Sequence, residues 1–179
     1  MNKTIMGKNV DLRPLDVSDA EFILSLRLDP ELSRYLNPVE NNLEKQRAWI
    51  KTCMDDPQQW YFIIQNKKQE PVGTIRIYDI KDKCFCWGSW IVISEARSYA
   101  SFESIVLLYH YAFFDLGFDT TNFDVRKKNE KALQFYLRFG AVITGETDED
   151  FLLTYTKEDF TNKLAEYQEV IDRNTKGPA

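Results

Sequence analysis

Hydrophobic and polar positions change period several times along the chain, and each change marks an element. Residues 8–14 put Val10 and Leu12 on one face of a short strand that Pro14 ends. Ser18 and Glu21 have capping-box spacing, and Ala20, Ile23, Leu24 and Leu28 follow at helical intervals. Asp29-Pro30 breaks this helix and begins a short second one through Tyr35-Leu36. Asn41 with Glu44 repeats the cap signal for a helix carrying Trp49, Ile50 and Met54, which Asp56-Pro57 closes.

The period then shortens. Residues 60–65, 72–80 and 84–93 are dense in aromatic and β-branched side chains, with turns at 66–71 and 81–83. They predict an antiparallel meander. After Ser94, Ile105, Leu108, Ala112 and Leu116 share one helix face, and Gly117 suits its end. Residues 122–126 form a strand. Asn129 caps a helix with Ala132, Leu133, Phe135 and Tyr136 on its apolar side, and Gly140 ends it. Residues 141–146 and 151–156 make a last hairpin. Thr156 and Asp159 open a charged helix to about Arg173, and residues 175–179 read as a frayed tail. The fold class is therefore α/β (α+β), a mixed sheet with helices on both faces. The strand–helix–strand crossover at 87–126 should make its two strands parallel. A single domain over residues 1–179 is expected, with an extra C-terminal helix at about 157–173.

Composition narrows the function classes. At 44% hydrophobic and 14% aromatic, the chain can bury a core. A net charge of −5 argues against a general nucleic-acid binder. Three cysteines, Cys53, Cys84 and Cys86, do not form a disulfide framework, and a single histidine argues against a zinc site. No apolar run reaches the ~18 residues of a membrane span, and no signal-peptide core is present. A reduced, cytoplasmic setting without metal or membrane is the expectation.

Residues 91–104 carry the first candidate chemistry. A strand running into a helix leaves the first N–H groups of the helix unpaired beside its positive dipole end, an anion site. Ser98, Ala100 and Ser101 are small enough for a phosphate to approach, and Arg97 adds charge. An ordinary strand–helix turn capped by Ser101 has the same pattern. Cys84 and Cys86 have no histidine at motif distance, so a thiolate nucleophile is not expected.

The second candidate is Asn129-x-x-Ala132-x-x-Phe135-Tyr136-x-x-Phe139-Gly140-Ala141. Its spacing resembles that of the GCN5-related N-acetyltransferase (GNAT) superfamily. The resemblance covers about residues 8–156. DLRPL at 11–15, Asp29-Pro30 and Tyr35-Leu36 look like the branch containing the ribosomal-protein N-terminal acetyltransferases.

The resemblance implies a mostly antiparallel sheet of about seven strands whose fourth and fifth strands splay around acetyl-CoA. The fourth strand, with Ile91, Val92 and Ile93, would bond the pantetheine arm. The pyrophosphate loop would align with Arg97, Ser98, Tyr99, Ala100, Ser101 and Phe102, where Ala100 and Phe102 replace the family's glycines. Phe102 would either block the cradle or point into the core. Asn129 would help hold the cofactor, and Tyr136 would protonate the leaving thiolate, a task suited to a phenol of pKa near ~10. A backbone N–H would polarise the thioester carbonyl.

Asp124 is the first candidate base, with Asp79 and Glu146 as others; a salt bridge to Arg126 or Lys127 is its ordinary alternative. Lys127 and Lys128 could meet the 3′-phosphate of CoA or simply form a solvated turn. Arg76, Tyr78, Trp87 and Trp90, together with Tyr61, suggest an aromatic, partly cationic acceptor region. A nucleotide-linked amino sugar, another small amine or a protein N-terminus would fit the family. A non-catalytic CoA-binding or protein-interaction module is the alternative, and monomer and homodimer stay open.

Overall fold

The computed structural model describes residues 3–174, so the 175–179 tail lies outside the described residues. Its strands are β1 (Ile5–Met6), β2 (Val10–Pro14), β3 (Trp60–Asn66), β4 (Pro71–Lys81), β5 (Cys84–Val92), β6 (Thr120–Arg126), β7 (Val142–Glu146) and β8 (Asp150–Thr156). The helices are α1 (Ala20–Leu28), α2 (Leu43–Asp55), α3 (Arg97–His110), α4 (Glu130–Phe139) and α5 (Lys157–Arg173). The strands form one eight-stranded sheet in the order β1-β2-β3-β4-β5-β6-β8-β7. All neighbours are antiparallel except β5 and β6. The eighth strand, beyond the seven expected, is the two-residue β1, which pairs Ile5 with Leu12.

Local differences from the expected elements have identifiable causes. The first capping box is built from Asp16 and Asp19, not Ser18 and Glu21. Asp16 accepts from the Ser18 amide at 2.9 Å, and Asp19 takes the Asp16 amide at 2.8 Å while also gripping Arg13 at 2.7 Å. The second helix after Pro30 does not form. Instead Asp29 Oδ1 accepts from the amides of Glu31 and Leu32, and residues 30–36 run as turns. Asn42, one residue after the expected Asn41, caps α2 by accepting from Lys45 N at 3.0 Å.

The alternation along the central strands separates two cores. Phe62, Ile64, Ile75, Ile77, Phe85 and Trp87 face α3, α4 and α5. Tyr61 and Ile63 face α1 and α2, joining Ile23, Ile50 and Cys53. Each core residue removed from water contributes roughly 1.5–3 kcal/mol, so both faces are held by burial.

Between β5 and β6 the sheet opens. The parallel pair is joined only at Cys84–Thr120 and Phe85–Thr121. Beyond that point β5 stays with β4 and β6 stays with β8. A register shift in β4–β5 between Thr74 and Arg76 sharpens the divergence. Ser89 sits there at φ 50°, and its carbonyl accepts from Thr74 Oγ1 at 2.7 Å. The extra residue increases local twist. It also puts Trp87 and Trp90, three residues apart, on the same side of the sheet.

Candidate functional site

The open edge of β5 is the first component. Ile93 N donates to Val72 O at 2.9 Å, so the polar groups of its neighbour Val92 point the other way, into the splay. The Val92 carbonyl accepts from Arg97 Nε at 3.4 Å. The side chains of Ile91 and Val92 are buried, so it is backbone that this edge offers.

Residues 97–102 are not a loop but the first turn and a half of α3, preceded by a 3₁₀ turn over Ser94–Ala96. Ala100 and Phe102 have ordinary negative φ, so neither position requires glycine on conformational grounds. Helical bonding occupies the amides from Ala100 onward, whereas Arg97 N donates to Ser94 O. The donors left at the helix start are therefore the Ser98 and Tyr99 amides, on exposed or half-exposed residues. Ala100 is fully buried. The Phe102 ring packs against Phe135, Phe139 and Tyr167, with centroids 6.4, 5.5 and 5.6 Å away. It turns to the aromatic core and away from the first-turn amides.

α4 supplies the next two residues. Asn129 Oδ1 accepts from Ala132 N at 3.3 Å, so its oxygen caps the helix and its amide nitrogen remains available as a donor. Gly140 ends the helix at φ 115°. Tyr136 projects to the base of the splay, between Trp87 (5.6 Å), Phe123 (5.0 Å) and Trp90 (6.2 Å). Burial alone raises its pKa above the ordinary phenol value. Among the described residues its hydroxyl meets no hydrogen-bond partner, yet it is not among the fully enclosed polar atoms. It is thus a protonated donor with nothing to donate to among the described residues. Trp87 Nε1 is buried without a partner among the described residues; the Tyr109 hydroxyl is nearby but outside hydrogen-bond geometry. Trp90 Nε1 donates to Ser104 Oγ at 3.2 Å.

The opposite face of the splay is polar. Arg76 and Tyr78 lie together there, with the guanidinium 4.2 Å above the Tyr78 ring. Cys86 is opposite Tyr78 in the β4–β5 ladder. Burial, and then the Cys86 thiol, push the Tyr78 phenol up, and burial pushes Cys86 up as well. Across the splay Asp124 faces this pair. An open depression of about 400 Å³ runs past Asp79, Cys86, Asn122, Asp124 and Thr154. Trp87 and Trp90 are not part of this face; they belong to the aromatic layer under α3 and α4.

Ion pairs separate the remaining candidates. Arg126 is held by Glu149 and Asp150, and Lys127 by Glu146 at 3.0 Å. Asp79 pairs with Lys81 at 3.2 Å. Asp124 has neither an ion pair nor a hydrogen bond among the described residues, so its ordinary alternative, a bridge to Arg126 or Lys127, is not made. The sequence pattern does not point to Arg27, Trp49 and Tyr35 as functional. α1 brings Arg27 beside Arg76, and in the turns after α1 Tyr35 Oη donates to the Lys128 carbonyl at 3.2 Å. Only the helical spacing of these residues is visible in the chain.

The acetyltransferase (GNAT) domain family model matches residues 9–142. This chain belongs to the GNAT acetyltransferase family. Among solved structures, it is similar to apo FdhC, described as a nucleotide-linked sugar GNAT, at 33% identity. That match covers 96% of this chain and 99% of the other, with a TM-score of 0.86. A structure from T. thermophilus described as a putative acetyltransferase is 23% identical, covering 94% and 97% at TM-score 0.78. A spermidine N-acetyltransferase SpeG chimera from Vibrio cholerae and hSSAT is 17% identical, covering 87% and 99% at TM-score 0.76. The last two show the fold alone. No curated protein sequence matches.

GNAT enzymes use acetyl-CoA, and the splay in this GNAT chain fits it. The Val92 backbone faces the gap, the Ser98 and Tyr99 amides start α3 beside Arg97, and the free amide nitrogen of Asn129 begins α4. Among the described residues, no helix is long and apolar enough to cross a membrane.

Proposed function

We propose that this GNAT chain is an acetyl-CoA-dependent N-acetyltransferase that moves the acetyl group directly to a primary amine carried by a nucleotide-linked sugar. The observation behind this reading is the division of the splay. Among the described residues, a protonated phenol without a hydrogen-bond partner stands on one face, and a carboxylate without an ion pair stands on the other. Bound acetyl-CoA supplies the acyl thioester. Val92 and the first-turn amides of α3 hold and orient it. Asp124 takes a proton from the incoming ammonium, directly or through water, and Tyr136 gives a proton to the departing sulfur. The two groups sit on opposite faces of one gap, so neither exchanges its proton with the other.

The loss of both loop glycines does not favour a non-catalytic module. At negative φ inside α3 their replacements leave the first-turn amides free. The sugar acceptor draws on the likeness to FdhC and on the Arg76–Tyr78 surface. A protein N-terminus, the acceptor of the ribosomal-protein branch, is the competing substrate.

The test is CoA release from acetyl-CoA with UDP- and dTDP-linked amino sugars, spermidine and N-terminal peptides as acceptors. Turnover on the nucleotide sugars is expected to exceed turnover on the others. Failure to bind acetyl-CoA in calorimetry, or transfer to peptides alone, would overturn the reading. Within it, Asp124→Asn is expected to lower kcat about 10²-fold, the scale of general-base catalysis. KM for acetyl-CoA should stay unchanged. An Asp124→Asn enzyme with wild-type kcat would shift the base to water or to Asp79.

A further inference from the structure

Arg27 and Arg76 form a pair that the described residues leave uncompensated. Arg27 comes from the last turn of α1 and Arg76 from the middle of β4. The Nε of each is buried without a partner. Arg76 Nη1 donates to Gln59 Oε1 at 3.3 Å, and Arg27 Nη2 donates to the Asn37 carbonyl. Neither guanidinium has a carboxylate partner among the described residues. Asp56, whose charge is felt by nearby Cys53, accepts instead from Gln59 Nε2 at 2.6 Å and from Gln58 N at 2.9 Å. Burial makes Arg27 harder to charge, and the neighbouring Arg76 cation adds to that.

Two half-buried like charges without a counter-ion are unfavourable unless something offsets them. Aromatic faces offset part. Arg76 lies 4.2 Å over Tyr78, 5.6 Å from the Trp49 centroid and 5.9 Å from that of Tyr61. The remainder calls for an anion, and planar guanidinium forks match phosphate oxygens in pairs.

Position along the sheet says where that anion belongs. Starting at the splay, the groups run Asp124, then Cys86 with its ladder partner Tyr78, then Arg76 with Arg27 beside it, then Trp49. Tyr78 and Arg76 are two residues apart on one strand, with Cα atoms roughly 6–7 Å apart, and the guanidinium leans over the Tyr78 ring. Trp49 is 37% exposed although it stands edge-on to Tyr61 at 5.6 Å, leaving part of its indole open at the rim. An amine, a sugar ring, a diphosphate and a nucleobase occur in the same order in a nucleotide-linked amino sugar. A polyamine would bring positive charge to two unpaired arginines and is disfavoured there.

We propose that Arg27 and Arg76 together hold the diphosphate of the acceptor, with the sugar beside Tyr78 toward Asp124 and the nucleobase at Trp49. This inference rests on the acetyl-transfer reading of the same cleft, and its test separates the two.

UDP, dTDP, uridine and spermidine are titrated into the full-length protein already saturated with CoA, so that the cofactor's own phosphate site is filled. A nucleoside diphosphate should bind in the micromolar range and lose affinity as salt rises, with uridine at least tenfold weaker. Arg27→Met and Arg76→Met should each weaken UDP and dTDP at least tenfold while keeping wild-type CoA affinity, which also shows that each variant folds. Arg27→Lys should recover part of the loss. If neither nucleoside diphosphate binds the CoA-saturated protein, or if both Met variants bind them as the wild type does, the subsite is refuted even where amines are acetylated. If the diphosphates bind through both arginines but no nucleotide amino sugar is acetylated, the subsite stands and the reaction proposed above falls.

Discussion

Replacing Tyr136 by Phe should slow acetyl transfer by ~10²-fold or more in a single-turnover measurement. Acetyl-CoA binding should be nearly unchanged. The surroundings of the phenol set both outcomes. Its ring is fixed between Trp87, Phe123 and Trp90, and Phe would keep all three contacts. Its hydroxyl has no partner among the described residues, so removing it leaves no acceptor unsatisfied. Stability should therefore change by less than about 1 kcal/mol. Because burial raises the phenol's pKa, its proton stays on throughout the neutral and mildly alkaline range. The wild-type rate should not fall there through deprotonation of Tyr136. A Tyr136→Phe protein that transfers acetyl as fast as the wild type, with chemistry limiting, would show that the leaving sulfur takes its proton elsewhere.

The largest structural effect is expected at Phe139. This ring is 4% exposed and stands at the meeting point of α3, α4, α5 and β8. It stacks on Tyr167 at 4.5 Å and touches Phe102, Tyr109 and Tyr155 at 5.4–5.5 Å. Its carbonyl accepts from Tyr167 Oη at 2.5 Å, and Tyr155 and Tyr167 share a hydrogen bond of 2.5 Å. Phe139→Ala removes the ring and keeps the carbonyl, so the expected loss is the packing term, about 3–5 kcal/mol. That is a large part of the ~5–15 kcal/mol by which domains are stable. Urea unfolding measures it directly. A loss below about 1.5 kcal/mol would mean that the aromatic cluster closes over the vacancy. α4 also carries Tyr136, so the surviving folded protein should lose activity beyond its loss of folded fraction.

The aromatic cluster explains a departure from the family pattern. At the positions aligned with the family's glycines, this chain is already helical, and α3 places Phe102 against α4 and α5. The helix α5 beyond the matched region contributes Tyr167 to that packing. Phe102 is consistent with an anion site because the helix rotates its ring away from the donors of the first turn. Helical periodicity alone left two orientations open, and only the neighbours of α3 chose between them.

Much of the fold was legible in the chain itself. Alternation at 60–65, 72–80 and 84–93 marked the meander, and the Asn129–Ala141 spacing marked α4 with its cap and its glycine end. These signals are local: a strand's period and a helix's termini are set by residues a few positions apart. The same locality explains the misplaced caps. Asp16, Ser18 and Asp19 all carry capping oxygens, and the choice among them depended on Arg13 reaching Asp19 from β2.

Local patterns in the chain thus carry the order of the elements and the motif that holds Asn129 and Tyr136. Which side chains share a face was settled only when the elements packed together. Alternation keeps Trp87 with Phe85 on the α3 side and Arg76 with Tyr78 on the other, and the bulge at Ser89 is what brings Trp90 round to Trp87. The packing of α1 on the sheet sets Arg27 beside Arg76, across 49 positions of chain. Such pairings depend on register shifts and long-range packing, which hydrophobic period cannot encode.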